Sequence, residues 1–167
     1  IMKKLVSMLL IVARAVTLVA CGGGTASGDA NFLKMGLSGY DGTFNPIMTD
    51  NVYDTYVCDT IFEALIKMNS EGEYEPGYIC DGDWELSDEN CTYTFHLKDN
   101  VTFADGTPMT AEDVAFTYVT IADPAYNGPR SYAVSGMVGY DAYVAGETDT
   151  FEGIKVIDEH TVSFTFV

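Results

Sequence analysis

The groups in this 167-residue chain whose chemistry extends beyond packing are two histidines, four cysteines and 25 acidic side chains. His96 falls in a strand-like alternation and His160 in a turn, settings in which a hydrogen-bonded or solvated imidazole is commoner than a catalytic one. No C-x-x-C spacing is present and the histidines are far apart, so no metal-ligand set is spelled out. Asp81, Asp83 and Glu85 alternate, as calcium-binding carboxylates can, but the loop lacks the glycine of an EF-hand and alternation suits a strand edge equally well. There is no G-x-S-x-G, H-E-x-x-H, P-loop or G-x-G-x-x-G, and the carboxylates are scattered through turns rather than paired for acid–base work. These observations argue against an enzyme and imply no metal or cofactor.

Charge and composition narrow the classes further. Eight Lys and Arg against 25 Asp and Glu give a formal charge of -17, which repels a phosphate backbone and excludes nucleic acid as a partner. With 47% hydrophobic residues, eleven Tyr, nine Phe and one Trp, the chain is too apolar for a disordered acidic tail. Its length is that of about one domain.

Lys3 and Lys4 precede an apolar run over residues 5–20, the pattern of an export signal. Arg14 interrupts that run, and a membrane span needs roughly 20 apolar residues; a buried amphipathic helix is the competing reading. Leu18-Val19-Ala20-Cys21 resembles the lipobox of bacterial lipoproteins. That resemblance implies a signal peptide over residues 1–20, a lipidated Cys21, and a flexible tether over 21–30 that contains the run GGGTASG. Of the three other cysteines, an odd number in an exported protein, at least one is a free thiol or an intermolecular partner. Cys80 and Cys91 flank a hairpin and could be bridged, although small buried thiols are the preferred reading.

The remaining residues must position whatever site exists. Residues 32–38 read as a short strand, followed by a loop at Gly39, Asp41-Gly42 and Asn45-Pro46. Asp50 or Asn51 caps a helix to about Leu65, with Val52, Tyr56, Val57 and Ile61 on its buried side. Ile66–Met68 is a strand that turns at 69–72, and 73–82 is turn-rich. Cys91, Tyr93, Phe95 and Leu97 alternate with Thr92, Thr94 and His96, which puts His96 on the polar face of a strand that pairs with 84–87. Thr110 and Asp113 form a capping box for a helix with Ala111, Val114, Ala115, Tyr118 and Ala122 inward, stopped at Asp123-Pro124. Residues 127–150 read as loop, weakly helical around 139–145. A hairpin closes the sequence, 154–157 against a strand with Val162, Phe164 and Phe166 inward. Ending on an apolar strand, the chain reads as cut.

Trp84-Glu85-Leu86-Ser87-Asp88, Tyr93 to Lys98, Asp105-Gly106-Thr107-Pro108 and Thr110-Ala111-Glu112-Asp113-Val114 with Phe116-Thr117-Tyr118 closely resemble the extracellular solute-binding proteins of family 5, receptors of ABC importers. Phe44-Asn45-Pro46, Ile61 to Leu65 and Glu75-Pro76-Gly77 match the preceding elements in order. Asp123-Pro124, Tyr126 to Arg130, Ala142-Tyr143 and Gly153 to Asp158 resemble the oligopeptide branch. The resemblance implies an α+β fold, part of a type II periplasmic-binding-protein fold over residues 31–167: an N-terminal lobe piece with its small subdomain, the second lobe absent. It further implies an oligopeptide or dipeptide ligand, ABC permease subunits as partners, and a lipid-anchored location on the outer side of a bacterial membrane. Gly39 and Tyr40 would approach the ligand cleft, with Tyr132 as a second candidate; alternatively both tyrosines simply pack at the surface. Two other expectations are a truncated gene product without transport activity and an unrelated exported enzyme or adhesive domain.

Overall fold

In the computed structural model the residues described are 34–87, 89 and 91–167. The chain divides into two units, 1–36 and 37–167. The expected signal, Cys21 and the tether lie outside the described residues, as do Phe32 and Leu33 of the expected first strand. Residues 34–38 are irregular, and no ladder among the described residues includes them. A short apolar alternation becomes a strand only where a neighbour completes its hydrogen bonds and covers its face.

The second unit is built on a four-stranded antiparallel sheet. β3 (Glu85–Ser87), β4 (Thr92–His96), β5 (Ile154–Asp158) and β6 (Thr161–Thr165) lie in the order β3-β4-β6-β5. Adjacent strands in sequence form the two hairpins, and the β4–β6 pairing, with Tyr93 opposite Phe164 and His96 opposite Thr161, joins them. β6 departs from the expected alternation: it buries Thr161 and Ser163 as well as Val162 and Phe164, whereas β4, also flanked by a strand on each side, buries Phe95 alone. His96 does sit on the polar face, its Nδ1 3.3 Å from the Thr161 hydroxyl.

The helix α2 (Ala111–Ala122) begins as expected at Thr110, whose backbone N–H donates to Asp113 Oδ2 at 2.8 Å. Val114, Ala115, Ile121 and Ala122 face inward. Phe164 is the junction between helix and sheet, with its ring 4.6 Å from Tyr118 and 5.9 Å from Phe95. Val134, Met137 and Phe151, near the short helix α3 (Tyr140–Val144), complete this core. A separate hairpin pairs β1 (Ile66–Met68) with β2 (Tyr74–Pro76), so the stretch read as turn-rich contributes a strand. Asn69 Oδ1 closes its turn by accepting the Glu71 and Glu73 N–H groups at 2.9 and 3.0 Å.

Cys58, Cys80 and Cys91 are all free thiols. Cys80 is the small buried thiol expected, with Sγ donating to the Leu65 carbonyl at 3.2 Å, and burial pushes its pKa up. Cys91 corrects the expectation, because it is exposed. It occupies the left-handed conformation, φ +45°, at the entry to β4, where the turn leaves its side chain off the covered face.

Candidate functional site

The expected sites converge on the segment 39–51 and the helix that follows it. Asn51 caps α1 (Val52–Cys58), its Oδ1 accepting the Tyr53 N–H at 2.8 Å. The helix is shorter than expected and shows a different face. Asp54 and Cys58 are buried, whereas Val52, Tyr56 and Ile61 are exposed and Val57 is half-buried. The cause is the Asp54 carboxylate, which has no exposed surface and accepts three backbone donors. Asp41 and Gly42 N–H reach Oδ1 at 3.1 and 3.3 Å, and Thr43 N–H reaches Oδ2 at 2.9 Å. A buried carboxylate is tolerated only when such bonds replace its water. Gly42, at φ +84°, supplies the left-handed turn that lets successive amides converge. Asn51 Nδ2 also donates to Asp41 Oδ2 at 3.0 Å.

The chain just after Gly39 and Tyr40 is therefore tied to the first turn of α1. Gly39 is exposed, and a Cβ there would meet nothing within 4 Å. Tyr40 is 63% exposed, its ring tilted 30° from Phe44 with centroids 6.2 Å apart.

A second anchor holds the other end of this segment. The Tyr126 hydroxyl donates to the Ile47 carbonyl and accepts the Arg130 N–H at 3.0 Å. The Arg130 guanidinium donates from Nε to the Pro46 carbonyl at 3.2 Å, from Nη2 to the Thr49 carbonyl at 3.3 Å, and from Nη1 to the Tyr132 hydroxyl at 3.1 Å. Gly128 permits this approach, since a Cβ there would collide with the Tyr126 ring and lie 2.6 Å from the Ile47 oxygen. Beneath the loop, burial first and then the Asp59 and Asp54 carboxylates push the Cys58 thiol pKa up, with the Arg130 charge opposing them.

Asp54 thus holds the backbone at 41–43, just after Tyr40, and Arg130, which also bonds the Tyr132 hydroxyl, holds the carbonyls of Pro46 and Thr49. Sequence reasoning gave no role to Asp54, Tyr126 or Arg130. The available signal was the Tyr126-Asn127-Gly128-Pro129-Arg130 run, whose glycine and arginine mark a close approach and a polar clamp.

Elsewhere, His96 Nε2 lies 3.5 Å from Glu85 Oε1 and His160 Nδ1 lies 3.6 Å from Asp99 Oδ1, surface pairs that are ionic only when the imidazole is protonated. Of the three alternating carboxylates only Glu85 lies in a strand, β3; Asp81 is in a bend, its N–H donating to the His96 carbonyl at 2.8 Å, and Asp83 is irregular. Among the described residues no group of three or more His, Cys, Asp or Glu side chains could hold a metal ion.

The loop is thus fixed through its backbone at both ends and carries exposed aromatic rings. The profile of the bacterial extracellular solute-binding proteins, family 5 Middle, matches residues 75–167, and the chain belongs to that family. It is 31% identical over 159 residues to the periplasmic oligopeptide-binding protein OppA of Salmonella typhimurium, covering 93% of this chain and 29% of that protein. It is 30% identical over 123 residues to the periplasmic murein peptide-binding protein MppA of Escherichia coli, covering 72% and 22%. The crystal structure of Haemophilus influenzae OppA in complex with RPPGFSPFR superposes with a TM-score of 0.65 at 27% identity, covering 74% of this chain and 24% of that one. The chain thus spans less than a third of the length of these relatives. Its α+β architecture corresponds to part of the periplasmic-binding-protein fold, as the sequence implied.

Proposed function

We propose that this chain is part of the substrate-binding lipoprotein of an ABC importer, which captures extracellular peptides and presents them to permease subunits. The observation that carries the reading is its similarity to peptide-binding relatives, one of them with a peptide bound, across most of the described unit. Cys21 is the lipidated residue that holds the receptor at the outer face of the bacterial membrane. More than one acyl chain gives stable anchoring where a single chain is marginal.

Gly39, Tyr40 and Tyr132 belong to the wall of the ligand cleft. Open space at Gly39 lets a ligand backbone approach closely. The tyrosines offer aromatic faces and a polar edge, equipment that suits peptides of differing side chains. The role is capture and release, with no bond made or broken.

The test is to isolate the full-length protein from bacterial membranes in detergent, release any bound material with acid, and identify it by mass spectrometry. The reading predicts co-purified peptides and an acylated Cys21 at the mature amino terminus. Repeated recovery without peptides, together with no calorimetric response to a mixed peptide library, would sink it.

A further inference from the structure

Resting on that reading, we infer that Arg130 and the Tyr132 hydroxyl form a carboxylate-recognition pair, so that the receptor favours peptides that place a carboxylate against it. A guanidinium has five N–H donors. Three are taken, by the Pro46 and Thr49 carbonyls and by the Tyr132 oxygen, which leaves two. All three acceptors are uncharged. In a chain with 25 acidic residues, no described carboxylate lies within 4.0 Å of Arg130, whereas Lys67 holds Glu75 at 3.3 Å.

The positive charge is therefore fixed but not neutralised. The turn that fixes it is itself held by Tyr126, so little rotamer entropy remains to be lost on binding. Tyr132 contributes in a complementary way. Its oxygen accepts from Arg130 Nη1, so its own O–H proton is available to donate, and the residue is 67% exposed. Two guanidinium N–H groups and one phenol O–H match the acceptor-only oxygens of a carboxylate. The acid can come from an Asp or Glu side chain or from the peptide carboxyl terminus, two sources that the experiment separates.

The experiment is calorimetric titration of the full-length protein with an alanine tetrapeptide, its C-terminal amide, and versions of that amide carrying one Gln or one Glu. A side-chain source predicts that the Glu amide binds about tenfold tighter than the Gln amide; a terminal source predicts about tenfold between free acid and amide. In Arg130→Gln the preferred ratio falls to about one. In Tyr132→Phe, which keeps the bonds from Arg130 to the Pro46 and Thr49 carbonyls, the ratio falls part of the way, whatever the change in affinity common to all four ligands. Equal weakening of all four ligands in Arg130→Gln, or a ratio that survives it, overturns the proposal, because a residue that only clamps the turn has no reason to discriminate. If no peptide binds, the receptor reading fails, and acetate against acetamide, followed at the Arg130 Nε–H resonance, decides the anion site alone. A saturable shift with acetate only supports it; no shift, or the same shift with both, overturns it.

Discussion

The sheet with α2 and the segment around α1 are two ways of holding a chain in place. The first is apolar and ladder-bonded: Val162 and Phe164 on β6 are almost wholly buried, and the Phe95, Phe164 and Tyr118 rings interlock. In the second, one buried carboxylate and one guanidinium gather backbone groups from residues 41–49, while Tyr40, Phe44, Val52, Tyr56 and Ile61 remain exposed. A loop whose apolar side chains stay outward cannot be fixed by burying them. Polar anchors fix its backbone and leave its surface free.

The largest effect should come from the first region. Phe164→Ala removes the ring between α2 and the sheet and should cost about 3–5 kcal/mol, read as a lowered urea midpoint. Asp54→Ala should come next, at about 2–3 kcal/mol, because several loop amides lose their acceptor together. Its effect should be local: hydrogen exchange should accelerate at residues 41–43 and remain unchanged in β4 and β6. Equal acceleration in the sheet would show that the two regions are one cooperative unit and would break the contrast. Tyr126→Phe should cost about 1 kcal/mol, with faster exchange at the Arg130 amide. The smallest perturbation is thiol labelling of the native protein. Cys91 should react first, whereas Cys58 and Cys80, both buried with raised pKa values, should react only on unfolding.

The same contrast explains what could be read in the sequence. Where burial does the work, periodicity reports it: Tyr93, Phe95 and Leu97 announced β4, and the α2 pattern with Thr110 and Asp113 gave both its face and its start. Where charge does the work, hydrophobic pattern misleads. Val52, Tyr56 and Ile61 made a plausible inward face for α1, yet the buried positions are Asp54 and Cys58, and the partners of Asp54 are backbone amides that leave no trace in side-chain pattern. Arg130 escaped for the same reason, since it bonds the Pro46 and Thr49 carbonyls. Tyr40 and Tyr132 were reached through family resemblance, and the turn-rich composition of 73–82 concealed β2.

The account's central claim is that the segment fixed by Asp54 and Arg130 faces a bound peptide. Hydrogen–deuterium exchange of the full-length protein with and without a saturating peptide tests it most directly. The account predicts slower exchange at residues 39–44 and 130–133 with no change in β5 and β6. Peptide binding that leaves both of those stretches unaltered would contradict it.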